Sequence, residues 1–485
     1  MTDFKELIAK CENEIRAGQS QKVAGLLTGL ERSEVPLGFR LPLANLCRRV
    51  GLISQGLKYL APIIQSDREG VSPASNGELA EYAALLQREG AIHEALLLLD
   101  RVDAGAVPDA SLFKAFCHFA RWEYAQSIPH LRQFLTGSIP PYMRLVGEVN
   151  LSSALIAIGQ HDEALEILSS LISSAREGSF NRLLANCLEM RAQVWIRRSD
   201  FAAARADLAD GTELASREKT IDLFLIQKWA AVLQLLEARD SQGLKAFRQR
   251  AVAANDWESV RESDLYLLKA SFDRKRFEHL YFGTPFAGYR AKIERELGRV
   301  PAAESFILGS RQGPRIEIER GSIDGEDSLR FGGKTHRVLQ ILTRDFYRPA
   351  SLGGLFADLF PEEYFNVYSS PNRVRQIVSR ARRFFEAAEL PLAIEERGGT
   401  YRLSIEGEVG LVVERETQTP EPQLEQLRKL ASVYDGGSSS RQGRESLALS
   451  PSSFKRLMSW AIEKGKAERV GATTSTYYVL NGVSK

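Results

Sequence analysis

Ser370-Pro-Asn-Arg-Val-Arg-Gln-Ile-Val-Ser-Arg-Ala-Arg-Arg-Phe-Phe385, followed by Leu392-Ala-Ile-Glu-Glu-Arg-Gly-Gly-Thr-Tyr-Arg-Leu-Ser-Ile405, is the stretch on which the reading of this chain turns. Pro371 stands where a first helical residue is favoured, and Ser369 or Ser370 can cap the amides before it. Val374, Ile377, Val378, Ala381, Phe384 and Phe385 recur at helical spacing, which predicts one apolar face. The opposite face and its flanks carry Arg373, Arg375, Gln376, Ser379, Arg380, Arg382 and Arg383, with no acid before Glu386. Within the second run Ala393-Ile-Glu-Glu-Arg397 and Thr400-Tyr-Arg-Leu403 flank Gly398-Gly399, the dipeptide that a tight primed hairpin turn wants. The spacing therefore predicts a helix that buries one side and offers arginines on the other, beside a short hairpin.

Outward from this stretch, bulk properties narrow the class. At 485 residues the chain is too long for one ordinary domain, and length points to about three. Apolar residues at 44% and charged residues at 26% are those of a globular protein. No apolar run approaches the roughly 20 residues that span a bilayer. The start, Met1-Thr2-Asp3-Phe4-Lys5-Glu6, shows no basic region leading into an apolar core. These features predict a cytoplasmic protein with no membrane partner. Cys11, Cys47, Cys117 and Cys187 are scattered, without metal-ligand spacing, and read as buried thiols.

The net charge of +2 hides an asymmetry. Residues 334–383 and residues 441–485 each carry +5, which leaves the remainder near −8. Positive charge gathered in two C-terminal segments is the footprint of a nucleic-acid contact on an otherwise acidic protein. The alternative is two solvated helix faces.

Residues 1–310 read as helix after helix. Tyr82-Ala-Ala-Leu-Leu86 leads to Gly90, then His93-Glu-Ala95 and Leu96 to Leu99; Leu155-Ile-Ala-Ile158 leads likewise to Gly159, then Asp162-Glu-Ala164, Leu165, Ile167 and Leu168. Weaker copies place a small or turn residue at Gly18, Gly51, Ala120, Ser199, Ala238 and Asp273, in steps of 30 to 40 residues. Two helices cannot cover their own apolar faces, so neighbouring pairs stack to complete the core. This pattern resembles a tetratricopeptide repeat array, with the Gly90 and Gly159 units its best matches. The resemblance implies a concave surface for a protein or peptide partner or for a second copy of the chain; a spacer or dimerisation body is the other reading. His279-Leu-Tyr-Phe-Gly-Thr-Pro-Phe-Ala-Gly-Tyr289, rich in aromatics and turn residues, reads as a folded loop that closes the array and docks the next domain, with a ligand-binding loop as the alternative.

Gln312-Gly-Pro314 marks a boundary. Arg315-Ile-Glu-Ile-Glu319 and Ser328-Leu-Arg-Phe331 alternate as strands, with Asp324-Gly325 as a turn between them. Helices are predicted over Thr335 to Thr343 and Leu352 to Leu359, the second capped by Ser351 and stopped by Pro361. Two strands, three helices and a hairpin resemble the OmpR/PhoB-type winged-helix domain of bacterial transcription regulators. The resemblance spans residues 315–405. It rests on Arg348-Pro-Ala-Ser-Leu352, Val378-Ser-Arg-Ala-Arg-Arg383 and Ile394-Glu-Glu-Arg-Gly-Gly-Thr-Tyr-Arg-Leu403. It implies that the third helix enters the DNA major groove, with Asn372, Arg375, Gln376, Ser379 and Arg383 facing base edges. Arg373, Arg380 and Arg382 would neutralise phosphates, and Arg397 and Thr400 would sit in the wing. Arg and Gln suit these roles through bidentate hydrogen bonds to guanine and adenine edges. A winged helix used for protein contact is the alternative. No receiver domain, usual in that family, precedes this one; the helical array stands in its place.

Glu406 to Pro422 is predicted as a linker, Leu424 to Tyr434 as a helix, and Gly436-Gly-Ser-Ser-Ser440 as a tether. In the last block Ser450-Pro-Ser-Ser453 opens a helix with Phe454, Leu457, Met458, Ala461 and Ile462 as its core stripe. Ala467-Glu-Arg-Val470 then pairs with Thr476-Tyr-Tyr-Val-Leu480. This block resembles a small C-terminal helix-turn-helix module of bacterial regulators, in which Ser452, Ser453, Lys455 and Arg456 would contact DNA; dimerisation or docking is the alternative role.

Gly333-Lys-Thr335 lacks the first glycine of a phosphate-binding loop, the six His form no ligand constellation, and no nucleophile elbow appears. The expectation is a non-enzymatic protein without cofactor or metal. The fold class expected is mostly α. A helical repeat domain covers 1–310 and a winged-helix domain 314–406, then a linker with one helix 407–441 and a second small winged module 442–485. The function expected is sequence-specific binding of double-stranded DNA, controlled by repeats that sense or recruit a protein. The alternative is a scaffold in which repeats and winged helices all bind proteins.

Overall fold

Seventeen α-helices, from Phe4–Arg16 to Ala287–Leu297, make up the described chain up to the first strand. The computed structural model describes residues 3–16, 18–218, 222–326, 328–414, 426–427, 430–431, 433–434, 437–447, 449, 451–463, 465–470 and 477–480. Within pairs the chain reverses at Gly18, Gly51, Gly90, Trp122, Gly159, Ser199 and Arg239, all at positive φ and 32 to 40 residues apart. The left-handed conformation ends one helix in a single residue, which suits Gly; other side chains hold it only where packing over-determines them. The expected turns at Ala120 and Ala238 therefore fall slightly later, at Trp122 and Arg239, and Asp273 instead caps the Arg274–Phe282 helix by accepting from Arg276 N at 2.6 Å. The repeat alanines Ala95 and Ala164 are fully buried, as close helix contact requires.

Contacts divide the chain into two compact units. One joins Met1–Ala302 with Ile341–Ser379 and Ile394–Ser404; the other joins Ala303–Gln340 with Arg380–Ala393 and Ile405–Lys485. The expected folded loop at His279–Tyr289 is a tight turn between the Arg274–Phe282 and Ala287–Leu297 helices, and in the first unit it receives Phe346, whose N–H donates to Gly283 O at 3.1 Å.

In the second unit a four-stranded sheet runs in the order Ser305–Gly309, Gly410–Glu414, Arg315–Glu317, Ser322–Ile323. Two sequence readings change here. Ser328–Phe331 is not a strand, because Ser322–Ile323 takes the place beside Arg315–Glu317. Gly410–Glu414 is not linker but a central strand, antiparallel to Ser305–Gly309 and parallel to Arg315–Glu317. Its buried Leu411 and Val413 explain that placement. His336, almost fully buried, accepts from Gly332 N at Nδ1 (3.0 Å) and therefore donates from Nε2 to Ile318 O (2.7 Å).

The C-terminal part also departs from the reading. Gly437–Ser439, expected as a tether, is a strand pairing with Tyr477–Val479, whose other edge pairs with Ala467–Val470. The helical residues Leu427 and Leu430 are buried in one core with Leu447, Phe454, Leu457, Met458 and Ala461. That core therefore draws on residues upstream of 442, where linker was expected. Residues 415–425 and 471–476 lie outside the described residues.

Candidate nucleic-acid interface

The Ser370–Ala387 helix follows Asn366, whose Oδ1 accepts from Tyr368 N at 2.9 Å and Ser369 N at 3.2 Å. Asn366, not a serine, thus receives the amides at this helix start, and Ser370 Oγ accepts from Asn366 N at 2.9 Å. Along the helix Val374, Ile377, Val378, Ala381 and Phe385 are buried. Asn372, Arg375, Gln376, Ser379, Arg380, Arg382 and Arg383 are exposed. The apolar spacing predicted from sequence and the observed burial coincide except at Phe384, which is half-buried, and the basic residues are set outward.

Arg373 stands apart from this set. It is half-buried, forms a two-pronged pair with Glu363 (2.5 and 2.8 Å), and stacks over the Phe360 ring at 3.9 Å. The Glu363 carboxylate raises its already high pKa. Arg373 is therefore spent on holding the loop before the helix. Arg375 Nε lies 3.8 Å from Glu396 Oε1, a loose pair joining helix to hairpin.

The hairpin of Leu392–Arg397 and Thr400–Ile405 turns through Gly398 and Gly399 at φ 57 and 78°, as the dipeptide demands. Arg397 is exposed at the tip. Thr400, half-buried, donates its hydroxyl to Arg397 O at 2.7 Å and closes the turn. In the C-terminal module Lys455 is exposed on the Pro451–Glu463 helix, while the side chains of Ser452, Ser453 and Arg456 lie outside the described residues.

What sequence reading missed is the seat that holds this element on the helical array, within one unit. Arg261 Nη2 donates to both Asp345 oxygens at 2.7 Å, and Tyr347 Oη donates to Asp264 Oδ2 at 3.0 Å. Asp264 is in turn gripped by Arg248 through two 2.8 Å bonds. Further along, Phe365 N donates to buried Glu94 Oε2 at 2.7 Å, Glu94 pairs with Arg68, and the Arg68 guanidinium lies 3.8 Å from the Tyr364 ring centroid. Burial, more than these partners, decides the Glu94 carboxyl and pushes its pKa up. Between them the Leu352–Leu359 helix meets the array so closely that a Cβ on Gly353 would lie 2.6 Å from Glu89 O. Gly353-Gly354 inside a helix was the available signal, since interior glycines cost stability and mark close approach. Glu94, Asp264 and Arg261 gave none, being ordinary helix residues in sequence, and Asp345 reads as an ordinary loop acid.

No protein-family model matches the chain, and no curated protein does. Solved structures do, among them the crystal structure of the apo form of RapI, 11% identical, aligned over 61% of this chain and 94% of that one at a TM-score of 0.40. A likeness of that degree carries no functional argument. No helix among the described residues is long and apolar enough to cross a membrane, and no cluster of possible metal ligands occurs among them.

Proposed function

We propose that this chain is a non-enzymatic, DNA-binding transcription regulator whose helical array holds and controls the basic Ser370–Ala387 helix. One observation carries the reading: the helix buries its apolar stripe and exposes Asn372, Arg375, Gln376, Ser379, Arg380, Arg382 and Arg383. The order of sheet, helices and hairpin supports taking residues 314–406 as a winged helix of the OmpR/PhoB type. In this reading Arg380, Arg382 and Arg397 neutralise phosphates, and Arg375, Gln376 and Arg383 read base edges. Arg373 positions the helix through Glu363. Phosphate contacts supply most of the affinity and make it fall with salt.

The second reading is a scaffold whose winged elements bind proteins. The seat favours it, because residues 345–368 already make a protein–protein type of contact with the array. A gel shift of the full chain on random duplex, repeated across a salt series, separates the two. Binding that steepens as salt falls and is lost in Arg380→Ala/Arg383→Ala supports DNA recognition. A flat salt response, or equal binding by that variant, refutes it.

A further inference from the structure

The Ala287–Leu297 helix ends the array, yet its contacts reach back across it. Tyr289 meets the Trp122 ring edge-on at 4.4 Å, in the turn of the fourth helix pair. Lys292 Nζ lies 3.1 Å from Glu262 Oε1 in the eighth pair, and Glu296 takes Arg197 of the sixth at 3.0 Å. Tyr289, Lys292 and Ile293 are buried while Ala287, Gly288, Ala291 and Arg295 are exposed. One stripe at i, i+3, i+4 and i+7 is how an amphipathic helix sits in a groove.

The fit is held by charge and is incomplete. Glu262 divides its oxygens between Lys292 and Lys228, the latter at 2.8 Å. Burial pulls the Lys292 ammonium below its ordinary pKa, while Lys228 and Lys292 together hold the buried Glu262 carboxyl well below the usual carboxylate range. Tyr289 Oη and Arg197 Nε are buried without a hydrogen-bond partner among the described residues, so this occupant leaves donors unmet. Trp122 holds φ 57°, a strained value for a bulky side chain, beneath the helix. At 11 residues the helix is also too short to persist alone and depends on these contacts.

We propose that the surface formed by Trp122, Arg197, Lys228 and Glu262 is a helix-binding groove that Ala287–Leu297 occupies in cis. The partner it fits in trans is a protein helix with an aromatic, a basic, an aliphatic and an acidic residue at i, i+3, i+4 and i+7. The cation answers Glu262, and the acid answers Arg197 and Lys269, which lies 2.6 Å from the second Glu296 oxygen. An occupant without them strands buried charge, which gives the groove its selectivity. This inference stands whatever the Ser370–Ala387 helix binds.

The test uses the full chain and a fluorescent peptide of residues 284–300, read by polarisation. Tyr289→Ala and Lys292→Met loosen the cis helix, and each is expected to bind the peptide at least tenfold more tightly than wild type does. Adding Glu262→Gln should remove that gain, and a scrambled peptide should show none. Folded variants, by circular dichroism, that bind no better than wild type overturn the proposal. Hydrogen exchange on the wild type tests it without any variant. Amides of Ala287–Leu297 should exchange at least tenfold faster than those of Trp257–Ala270, and equal protection of the two helices overturns it.

Discussion

Arg261→Met probes the seat most directly. Arg261 is fully buried and bonds two carboxylates: Asp345 at 2.7 Å twice, and Glu258 at 2.8 and 3.0 Å. Glu258 is 43% exposed, so losing that pair costs little. The Asp345 side chain is only 14% exposed, and stranding one member of such a pair costs about 3–5 kcal/mol. Asp345 retains two amide donors, Tyr347 N at 2.9 Å and Arg348 N at 3.0 Å, which lowers the cost below that range, and about 2–3 kcal/mol is expected. Methionine fills much of the vacated volume and keeps a cavity term small. Native-state hydrogen exchange at Phe346, whose N–H donates to Gly283 O, reads the opening of the seat. The amide should exchange roughly 30- to 150-fold faster, at 1.4 kcal/mol per tenfold. Asp345→Asn should accelerate the same amide, and the double variant should show coupling of about 1–3 kcal/mol. Unchanged exchange in both single variants, or coupling under about 0.5 kcal/mol, would show that the pair does not hold the segment.

Other perturbations test separate steps. Glu94→Ala leaves the Phe365 N–H and Arg68 without their acceptor and should cost about 2–4 kcal/mol at the Phe365 amide; Glu94→Gln, whose amide oxygen still accepts, should recover about half, and equal effects would refute the hydrogen bond. Gly353→Ala improves intrinsic helix propensity by about 1 kcal/mol, yet its Cβ would meet Glu89 O at 2.6 Å; faster exchange at Phe365 is expected, and slower exchange would contradict the close approach. Burial pushes the Glu189 carboxyl from 4.5 up to about 7, so the stability it lends is present below the lower value and lost as pH rises through the upper. Glu189→Gln should therefore gain on wild type between pH 5 and pH 7.5 in thermal midpoint, and parallel midpoints would refute the assignment. Under the DNA-binding reading, Arg383→Ala should cost about 1–3 kcal/mol and relax preference at one base position in a selection on randomised duplex. Uniformly weakened binding would make Arg383 a phosphate contact instead.

Local patterns were legible wherever a single residue type has one physical use. Gly90 and Gly159 at left-handed turns, Ala95 and Ala164 at helix contacts, and Gly398-Gly399 in the hairpin all behave as their chemistry requires. The buried stripe of the Ser370–Ala387 helix was equally plain. Pairings distant in sequence were not legible. Gly410–Glu414 reads like the end of a domain until Ser305–Gly309 is set beside it, and Gly437–Ser439 reads like a tether until Tyr477–Val479 pairs with it. Ser328–Phe331 alternates as a strand should, yet alternation cannot say whether a partner edge is free. The exposed face was readable from periodicity alone, but the pairing of Arg373 with Glu363 was not, since Glu363 precedes it by a loop rather than a helical turn. Gly90 carried a second meaning as well: a Cβ there would meet Ser351 Oγ at 2.1 Å, so the repeat glycine is also part of the seat.

The chemistry of that seat bears on how the array acts. Asp345 meets Arg261, Tyr347 meets Asp264, and the Phe365 amide meets Glu94, so charged or charge-assisted hydrogen bonds fix the segment at both ends. Such contacts add modest net stability, yet any shifted register leaves a buried charge unanswered at a cost of several kcal/mol. The seat is therefore specific in register without being strongly held. Its anchors on the array lie in different helix pairs: Glu94 in the third, Arg261 and Asp264 in the eighth. A change in the spacing of the intervening repeats cannot keep both sets, because residues 345–368 span them as one packed piece with the buried Leu355, Phe356 and Phe365 at its centre. A partner that respaces the repeats must then break one anchor or strain the piece. The Phe365 end passes directly into Asn366, whose N–H donates to Ser370 Oγ where the basic helix begins. Under the proposed function, repeat spacing and presentation of the basic face are then one equilibrium with two discrete arrangements, and a double-mutant cycle between Glu94→Gln and Arg261→Met should show coupling above about 0.5 kcal/mol across the segment. Additive effects would make the two ends independent and remove the array's hold on the helix.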